Sequence, residues 1–339
     1  MFLLLVLVVS RCEGLSSSGH AVIVQNKGGG HGEIGFHLAK ALAAAKDLEV
    51  TILQDAAAKA SALPFCKYDE VPAKVTWCDL GDTAAIEAAL RGTPTVTHVF
   101  DNFAKSRDEA APFANAAKKS PMLRCYAFVS SAGMYTSKGI LRETDPVKET
   151  GQRDVEVYLN EELPGKWCSF RPQYIYGPYT NKRDYLDWFL HRVSRELPLA
   201  VPGDAQQPVS VTHCEDVATL LASVVGNELE AANQVFNCGT DKLCSYDDLC
   251  RAAARGLGKP PPVVASLPPG TKSTFPFRPN AEGFAVRVKK AKDKLKWAGA
   301  THDVLADLEG FYKDDFLALG HHLGPLDTQN DMLHLAANL

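Results

Sequence analysis

The chain has 339 residues, of which 46% are hydrophobic and 22% charged, and its formal net charge is -4. A chain of this length can bury one large core or two modest ones. The net negative charge argues against a polycationic nucleic-acid-binding protein, although it leaves room for a local basic face. The sequence contains no tandem repeat and no long low-complexity run.

Residues 1–18 form a segment of their own. Phe2 to Val9 are all apolar, and Cys12 and Gly14 are small enough for the positions that precede a signal-peptide cleavage site. The apolar run is too short to hold the chain in a bilayer. We therefore predict a targeting segment over residues 1–18 and no stable membrane anchor. The alternative is a buried first strand.

A strand, a glycine turn and a helix follow. Ala21–Val24 is apolar, Gly29, Gly32 and Gly35 come at three-residue spacing, and a helical pattern starts at Phe36. In such a turn the first glycine makes the bend, the second lets the main chain approach a pyrophosphate, and the third lets the helix lie close to the sheet. The N–H groups that open the helix favour an anion. The pattern predicts a cleft able to take NAD(P); the alternative is a sharp turn without a ligand.

Apolar strands alternate with helical patterns through the first half of the chain. Strands are predicted at 49–53, 74–78, 96–100 and 125–129, and helices at 83–90 and 107–118. This alternation predicts an α/β fold with a Rossmann-type, doubly wound parallel sheet. Polar residues that follow the strands then meet at the carboxyl edge of the sheet, where ligands bind. Asp55 could take an adenosine ribose and Asp79 the adenine edge; helix capping is the alternative role of both.

The nine cysteines are scattered, and no C-x-x-C pair occurs among them. A chain of this length needs no disulfides for stability. We therefore predict buried free thiols in a reducing compartment. Together with the targeting segment, this favours an organelle reached through the endomembrane system.

The later part of the chain resembles the extended short-chain dehydrogenase/reductase family of sugar-nucleotide epimerases and dehydratases. Residues 171–178, RPQYIYGP, resemble the family's R-P-x-x-x-Y-G-P segment, and residues 213–218, HCEDVA, are similar to its H-x-x-D-V-A element. The resemblance implies an NAD(P)-binding Rossmann-like domain over 19–170, a smaller C-terminal substrate-type lobe over 171–322, and a tail over 323–339.

The catalytic pair of that family is missing. In the family a serine or threonine, matched here by Ser131, works beside a Tyr-x-x-x-Lys helix, in which the lysine lowers the pKa of the tyrosine enough for acid/base work. Lys148 and Gln152 stand at the two positions, and none of the ten tyrosines has a lysine four residues later. Hydride or keto-sugar chemistry by the usual route is therefore not expected.

One branch of the family shows these features together. Residues 29–31 (GGH), 34–36 (IGF) and 169–174 (SFRPQY) resemble strings of the chloroplast stem-loop-binding proteins. The resemblance implies a plastid protein that binds structured, stem-loop RNA, associates with ribosomal or transcript complexes, and has endoribonuclease capability with a divalent cation such as Mg²⁺. It also implies the plastid stroma as the location, with the secretory pathway as the alternative. The predicted cofactor site consists of Gly29, Gly30, His31, Gly32, Ile34, Gly35, Asp55, Asp79, Asp101, Ser130 and Ser131.

Two other functions stay open at this point. One is an NAD(P)-dependent epimerase, dehydratase or reductase with displaced catalytic residues. The other is a non-catalytic assembly factor for ribosomes or transcripts that uses the fold as a platform. An oligomer or membership of a larger complex is expected in either case.

Basic residues in two segments are the predicted RNA contacts, because lysine and arginine neutralise phosphates. A solvated helix face is the alternative for the later segment. The predicted contacts are Lys182, Arg183, Arg287, Lys289, Lys290 and Lys292. His31, His213, Asp101 and Asp216 are conceivable acid/base groups, but no ligand spacing among them predicts a metal site. His213 and Asp216 are instead predicted to hold the sheet together.

Overall fold

The computed structural model describes residues 19–26, 31–44, 48–91, 96–180, 182–268, 271, 273–278 and 282–326. The predicted targeting segment, Gly29, Gly30 and residues 327–339 of the predicted tail lie outside these ranges. The strands are β1 (Gly19–Gln25), β2 (Leu48–Asp55), β3 (Lys74–Cys78), β4 (Val96–Asn102), β5 (Cys125–Val129), β6 (Gly139–Leu141), β7 (Trp167–Pro172), β8 (Ile175–Tyr176), β9 (Leu199–Pro202), β10 (Pro208–Val209), β11 (Thr212–His213), β12 (Gln234–Cys238), β13 (Cys244–Ser245), β14 (Val264–Leu267) and β15 (Phe284–Val286). The α-helices are α1 (Glu33–Ala44), α2 (Thr83–Arg91), α3 (Arg107–Lys118), α4 (Gly151–Glu162), α5 (Asp184–Ser194), α6 (Cys214–Ala222), α7 (Glu228–Ala231), α8 (Tyr246–Leu257), α9 (Lys289–Leu295), α10 (Val304–Glu309) and α11 (Phe311–Ala318).

A parallel sheet forms the centre of the molecule. Its seven strands lie in the order β12, β7, β5, β4, β1, β2, β3, and all neighbours run parallel. The five strands predicted from the sequence all lie within strands of this sheet, so the predicted α/β Rossmann-type fold is confirmed. The strand order reverses between β1 and β4, which is where open α/β sheets bind ligands.

Helices cover both faces of the sheet, as a doubly wound fold requires. On one face α1 and α6 pack against each other, and their side chains, Phe36 and Val217 among them, join the core beneath. On the other face α2, α3 and α4 contribute Ile86, Phe113 and Leu159 to a second core. Because both faces are covered, the strands are apolar almost throughout, as their sequences suggested.

A smaller lobe carries its own core, built mainly from α5, α8, α10 and α11. The sequence of α8 shows why the helix has these ends. Ser245 and Asp248 form a capping box at its start, and Gly258 ends it in the left-handed conformation at φ 62°. A short four-stranded sheet, β13–β10–β15–β6, links this lobe to the carboxyl edge of the central sheet.

The central sheet extends past residue 170. β12, at 234–238, pairs in parallel with β7, and α6 at 214–222 covers the same face as α1. The chain therefore returns to the Rossmann-like unit after entering the smaller lobe. The division at residue 170 stays a prediction as a domain boundary, but the sheet itself is not confined to residues before it.

The cysteines follow the prediction for the part of the chain that the structure describes. The eight cysteines there are free, and six of them are buried. In the same part of the chain, no helix has both the length and the apolar character that a membrane span requires.

A buried ion pair ties α4 to the sheet. Glu156 of α4 is fully buried and receives two hydrogen bonds from Arg171 at the end of β7, Nε to Oε1 at 3.0 Å and Nη2 to Oε2 at 2.7 Å. Ser169 and Arg153 also donate to it, at 2.9 and 3.1 Å. Burial alone would raise the pKa of Glu156, but the hydrogen bonds and the charge of Arg171 outweigh burial and hold this pKa below its ordinary value.

Replacing Glu156 with glutamine is expected to destabilise the fold by about 3–5 kcal/mol, because Arg171 is left as a buried charge without a counterion. Acid should act differently on the two proteins. In the wild type the depressed pKa of Glu156 gives stability that is complete above about pH 4.3, the ordinary glutamate value, and is lost as the pH falls through the folded-state pKa. The E156Q variant lacks this loss. Urea unfolding at neutral pH and at a series of acidic pH values measures both effects.

Glu161 provides the matched control. It lies on the same helix, but its side chain is 54% exposed and its contact with Arg107 is 3.9 Å long. An exposed pair of this kind contributes little. E161Q should therefore have the same urea unfolding midpoint as the wild type. If E156Q has that midpoint too, the assigned role of the buried pair is contradicted.

Candidate functional site

A cavity of about 470 Å³ opens at the carboxyl edge of the central sheet. Residues that follow neighbouring strands line it: Asn26 after β1, Asn102 at the end of β4, Ser130 and Ser131 after β5, and Gln173 after β7. It lies at the reversal of the strand order between β1 and β4, and the smaller lobe forms its opposite wall. We call it the edge cavity. Its volume is in the range of sites for small organic groups.

The glycine turn is only partly within the described residues. A Cβ added at Gly35 would lie 2.5 Å from Oε1 of Gln25 on β1, so Gly35 has the predicted role of letting α1 lie close to the sheet. Ile34 and His31 line the edge cavity. Gly29 and Gly30 lie outside the described residues, and their assignment stays a prediction.

The space in front of Gly32 is filled by the protein itself. A Cβ added at Gly32 would lie 3.2 Å from the ring of Phe65. In a dinucleotide-binding turn this glycine is required because the pyrophosphate approaches the main chain from that side. The Phe65 ring is 96% buried in the short 3-10 turn Phe65–Glu70 between β2 and β3. The residues present therefore do not fit a pyrophosphate at Gly32.

The end of β2, where a dinucleotide ribose would lie, is also packed from within. The Gln54 side chain accepts a hydrogen bond from the Tyr68 hydroxyl and donates to the Asn26 carbonyl at 2.9 Å. In dinucleotide-binding folds a carboxylate near the end of this strand takes the ribose hydroxyls. The carboxylate at that place here is Asp55, the last residue of β2.

His31 and Glu33 contact each other at the start of α1. Glu33 Oε1 lies 2.7 Å from His31 Nδ1, and Glu33 is fully buried. Asn102 of β4 contacts the same region, because its amide donates to the His31 carbonyl at 3.1 Å and to Gln25 Oε1 at 2.8 Å. The sequence analysis did not single out Phe65.

The three predicted aspartates have structural partners. Asp55 and Asp79 accept hydrogen bonds from the backbone N–H groups of Ala57 and Gly81, both at 2.8 Å, as turn caps. Asp101 is fully buried. It accepts from two backbone N–H groups at 2.9 Å and from the Tyr126 hydroxyl at 2.8 Å, yet burial still raises its pKa. None of the three is among the described residues that line the edge cavity, and the assignment of Asp55 and Asp79 to a nucleotide stays a prediction.

The described lining of the edge cavity contains no tyrosine with a lysine four residues later. Ser131 and Gln152 line it, whereas Lys148 is exposed and lies outside its lining. Burial raises the pKa of Tyr174 in its wall to about 12. A phenol of that pKa without a lysine beside it does not act as a base near neutral pH.

Positive charge collects at the mouth of the edge cavity. Lys105, Lys182 and Arg278 line it, and no aspartate or glutamate is among its described lining residues. Lys105 lies three residues after the end of β4, in the region where such sheets bind ligands. Its place just after a predicted strand could have identified it from the sequence.

Arg278 is half-buried among neutral groups. Its Nη1 and Nη2 donate to the carbonyls of Tyr135 and Gly133 at 2.9 and 2.8 Å, and its guanidinium carbon lies 3.9 Å from the centroid of the Phe284 ring. Burial lowers the pKa of Arg278, opposed only by the nearby Tyr174 hydroxyl. Because no described carboxylate pairs with it, a bound anion would supply the missing counter-charge.

Most of the predicted RNA contacts are already partnered. Lys289 pairs with Asp293 at 2.6 Å, and Lys292 pairs with Asp241. Arg183 pairs with Asp187 at 3.3 Å.

Two further basic residues of the prediction lie away from the edge cavity. Lys290 is half-buried and donates to the Val235 carbonyl at 2.8 Å, and burial lowers its pKa. Arg287 is exposed and forms no ion pair with the described residues. Of the six predicted contacts, only Lys182 lines the edge cavity, and the assignment of the others stays a prediction.

One group of potential metal ligands occurs in the described part of the chain: His213, Glu215 and His302. The two imidazole rings are stacked, with centroids 3.5 Å apart and planes at 10°. Ring nitrogens bind metals in the plane of the ring, so parallel rings do not converge on one ion without rotating. Burial lowers the pKa of His213 to about 2, aided by the neighbouring histidines. Mg²⁺ prefers oxygen ligands, so this group does not support the predicted divalent cation.

Asp216 is buried as predicted, but it binds the segment at residues 301 and 302 and not the sheet. Its two carboxylate oxygens accept from the backbone N–H groups of Thr301 and His302 at 2.9 and 3.2 Å. His213, predicted as its buried polar partner, instead caps α6 by accepting from the Glu215 N–H at 3.2 Å.

Comparison with known proteins places the chain in context. Residues 29–162 match the model of an NAD(P)H-binding family. The chloroplast stem-loop binding protein of 41 kDa b from Arabidopsis thaliana is 33% identical over 228 residues, which cover 64% of this chain and 58% of that protein. The match thus spans less than two thirds of the relative's length.

Solved structures share the fold. The dTDP-glucose 4,6-dehydratase of Bacillus anthracis, solved with NAD, has a TM-score of 0.67 at 14% identity and covers 88% of this chain and 98% of its own. The UDP-glucose 4-epimerase of Thermus thermophilus, also solved with NAD, has a TM-score of 0.61 at 20% identity, covering 91% and 100%. The chain therefore has the NAD(P)-binding epimerase-type fold, and its predicted resemblance to the chloroplast stem-loop binding proteins is confirmed.

Proposed function

We propose that this protein binds structured RNA and that the mouth of the edge cavity contacts the RNA backbone. The observation that carries the proposal is the cluster of Lys105, Lys182 and Arg278 without a carboxylate among the described lining residues. Phosphate contacts by unpaired cations supply most of the affinity of proteins for nucleic acids.

The surroundings of the edge cavity favour RNA over a sugar nucleotide as the partner. Catalysis on a sugar nucleotide would need the Tyr-x-x-x-Lys pair, for which Lys148 and Gln152 are no substitute. The relative with 33% identity is named for binding a stem-loop. Extending that name to this chain, to the plastid and to ribosomal or transcript complexes is part of the proposal.

The proposal covers binding and not cleavage. The stacked His213–His302 pair with Glu215 is the one group of potential metal ligands in the described ranges, and its geometry does not suit Mg²⁺. A nuclease centre has no support from the residues that the structure describes.

We further propose that the dinucleotide site is vestigial at its adenosine end. The support is the Phe65 ring packed against Gly32, together with the Tyr68 hydroxyl bound to Gln54 next to the end of β2. The glycine spacing then persists because Gly35 is still needed for close packing of α1 on β1.

Neutralising Lys105 and Lys182 together, K105Q/K182Q, is expected to weaken binding of a short RNA hairpin by roughly tenfold or more at low salt. The log–log dependence of affinity on salt should also become shallower by about one for each lost phosphate contact. Fluorescence anisotropy of a labelled hairpin, measured between about 50 and 200 mM salt, gives both quantities.

The control for this pair is K289Q/K292Q, which changes the net charge equally. Lys289 and Lys292 are already paired with Asp293 and Asp241, so affinity and salt slope should stay near the wild-type values. A larger loss of affinity in this variant than in K105Q/K182Q would show that the RNA contacts α9 instead. If the wild type shows no salt-sensitive affinity for RNA, the proposal is refuted.

The wild-type protein titrated with NADPH should show no saturable binding below about 1 mM. The physical reason is that Phe65 and Tyr68 would have to leave a packed core before the adenosine half could enter. NADPH fluorescence and the thermal unfolding midpoint of the protein measure binding independently, since a ligand of the folded state raises that midpoint. A dehydrogenase in the same buffer serves as the positive control, and a Kd below about 10 μM for this protein would sink the proposal.

A further inference from the structure

Two side chains in the lining of the edge cavity contain buried polar atoms without partners. Ser130 Oγ and Gln173 Oε1 are buried and accept or donate no hydrogen bond among the described residues. Ser130 is 94% buried and Gln173 97% buried, and both line the cavity. Unsatisfied buried groups of this kind are uncommon in folded proteins and call for an explanation.

The two atoms require different hydrogen-bonding partners. A serine hydroxyl can donate to an acceptor, whereas the carbonyl oxygen of Gln173 can only accept. The amide nitrogen of Gln173 already donates to the Phe284 carbonyl. A phosphate has no hydrogen to give to Gln173. A nucleobase carries acceptor oxygens or nitrogens together with N–H donors, so it can satisfy both atoms at once.

Aromatic rings stand beside these atoms. Tyr174 and Tyr185 line the edge cavity with centroids 5.0 Å apart, and Tyr185 is half-buried. The guanidinium carbon of Arg278 lies 3.9 Å from the centroid of the Phe284 ring. Unpaired bases stack on aromatic side chains and on arginine planes.

The edge cavity thus combines two kinds of chemistry. Its lining offers one hydrogen-bond donor and one acceptor together with aromatic rings, and it also has three cations. We infer that the edge cavity takes a single unpaired nucleotide of the RNA, with its base inward against Ser130 and Gln173 and its phosphate at Lys105, Lys182 and Arg278. This inference rests on the proposed function. A volume of about 470 Å³ holds one nucleotide but not a duplex.

The test compares two RNAs with equal numbers of phosphates, a hairpin with an open loop and a fully paired duplex. Wild-type protein should prefer the hairpin by roughly tenfold, because only unpaired bases reach the cavity. An adenine analogue, 2-aminopurine, placed in the loop should change its fluorescence on binding, and the same probe in the stem should not.

Two variants separate base contacts from phosphate contacts. Y185A removes a stacking surface and should lower hairpin affinity by roughly tenfold, while Y185F should keep it. S130A removes an unsatisfied hydroxyl, so its thermal stability should not fall, but its hairpin affinity should drop by about two- to tenfold. Both variants should bind the duplex like the wild type, in contrast to K105Q/K182Q.

The outcomes distinguish this inference from the proposed function. Absence of any salt-sensitive RNA binding would remove the proposed function and the inference with it. Equal binding of hairpin and duplex, with Y185A and S130A both silent, would overturn the inference and leave the RNA contact in place. Saturable binding of free nucleoside monophosphate or nicotinamide mononucleotide that the hairpin does not displace would also overturn it.

Discussion

The buried ion pair between Glu156 and Arg171 is the contact on which the rest of this structure depends. Two charges inside a core are tolerated only where their lone pairs and protons are nearly all used. Here Ser169 and Arg153 complete the set around Glu156. Because the two charged residues belong to α4 and β7, their contact fixes the helix against the sheet beside the edge cavity.

The pair also reaches the smaller lobe. The Arg171 guanidinium lies 5.1 Å from the centroid of the Tyr135 ring, and the Tyr135 hydroxyl donates to Asn237 of β12 at 2.6 Å. Asn237 in turn donates to the carbonyls of Leu141 in β6 and Arg287 just after β15, two neighbouring strands of the small sheet. The charged pair is thus connected through Tyr135 and Asn237 to the small sheet.

The ion pair holds α4 in place independently of the residues that align with the expected catalytic pair. Gln152 lies in the first turn of α4 and lines the edge cavity, whereas Lys148 precedes the helix and is exposed. Neither residue takes part in the contact between Glu156 and Arg171. In the segment between β2 and β3, Phe65 and Tyr68 belong to the core that also contains Phe36 of α1.

The sequence predicted what depends on local pattern and missed what depends on distant partners. Strand positions, the helix after the glycine turn and the role of Gly35 follow from short-range periodicity and backbone geometry, and the structure has them. The ion pairs of the lysines in α9 cannot be predicted in this way. Lys292 meets Asp241 and Lys294 meets Glu230, partners separated from them by 51 and 64 residues. A run of lysines in the sequence therefore resembles a basic face until the fold supplies its carboxylates.

The same reasoning identifies where the charge remains. The chain carries 40 acidic and 36 basic side chains, so its net charge gives no reason to expect an anion site. What matters is which cations the fold leaves without carboxylates, and at the edge cavity it leaves three close together. Those cations share one cavity with two buried polar atoms that lack partners. Uncompensated charge and unsatisfied hydrogen-bonding groups each destabilise a folded protein. Their coincidence at the reversal of strand order is best explained by a ligand that completes the native state, with an anionic end toward solvent and a hydrogen-bonding end inside.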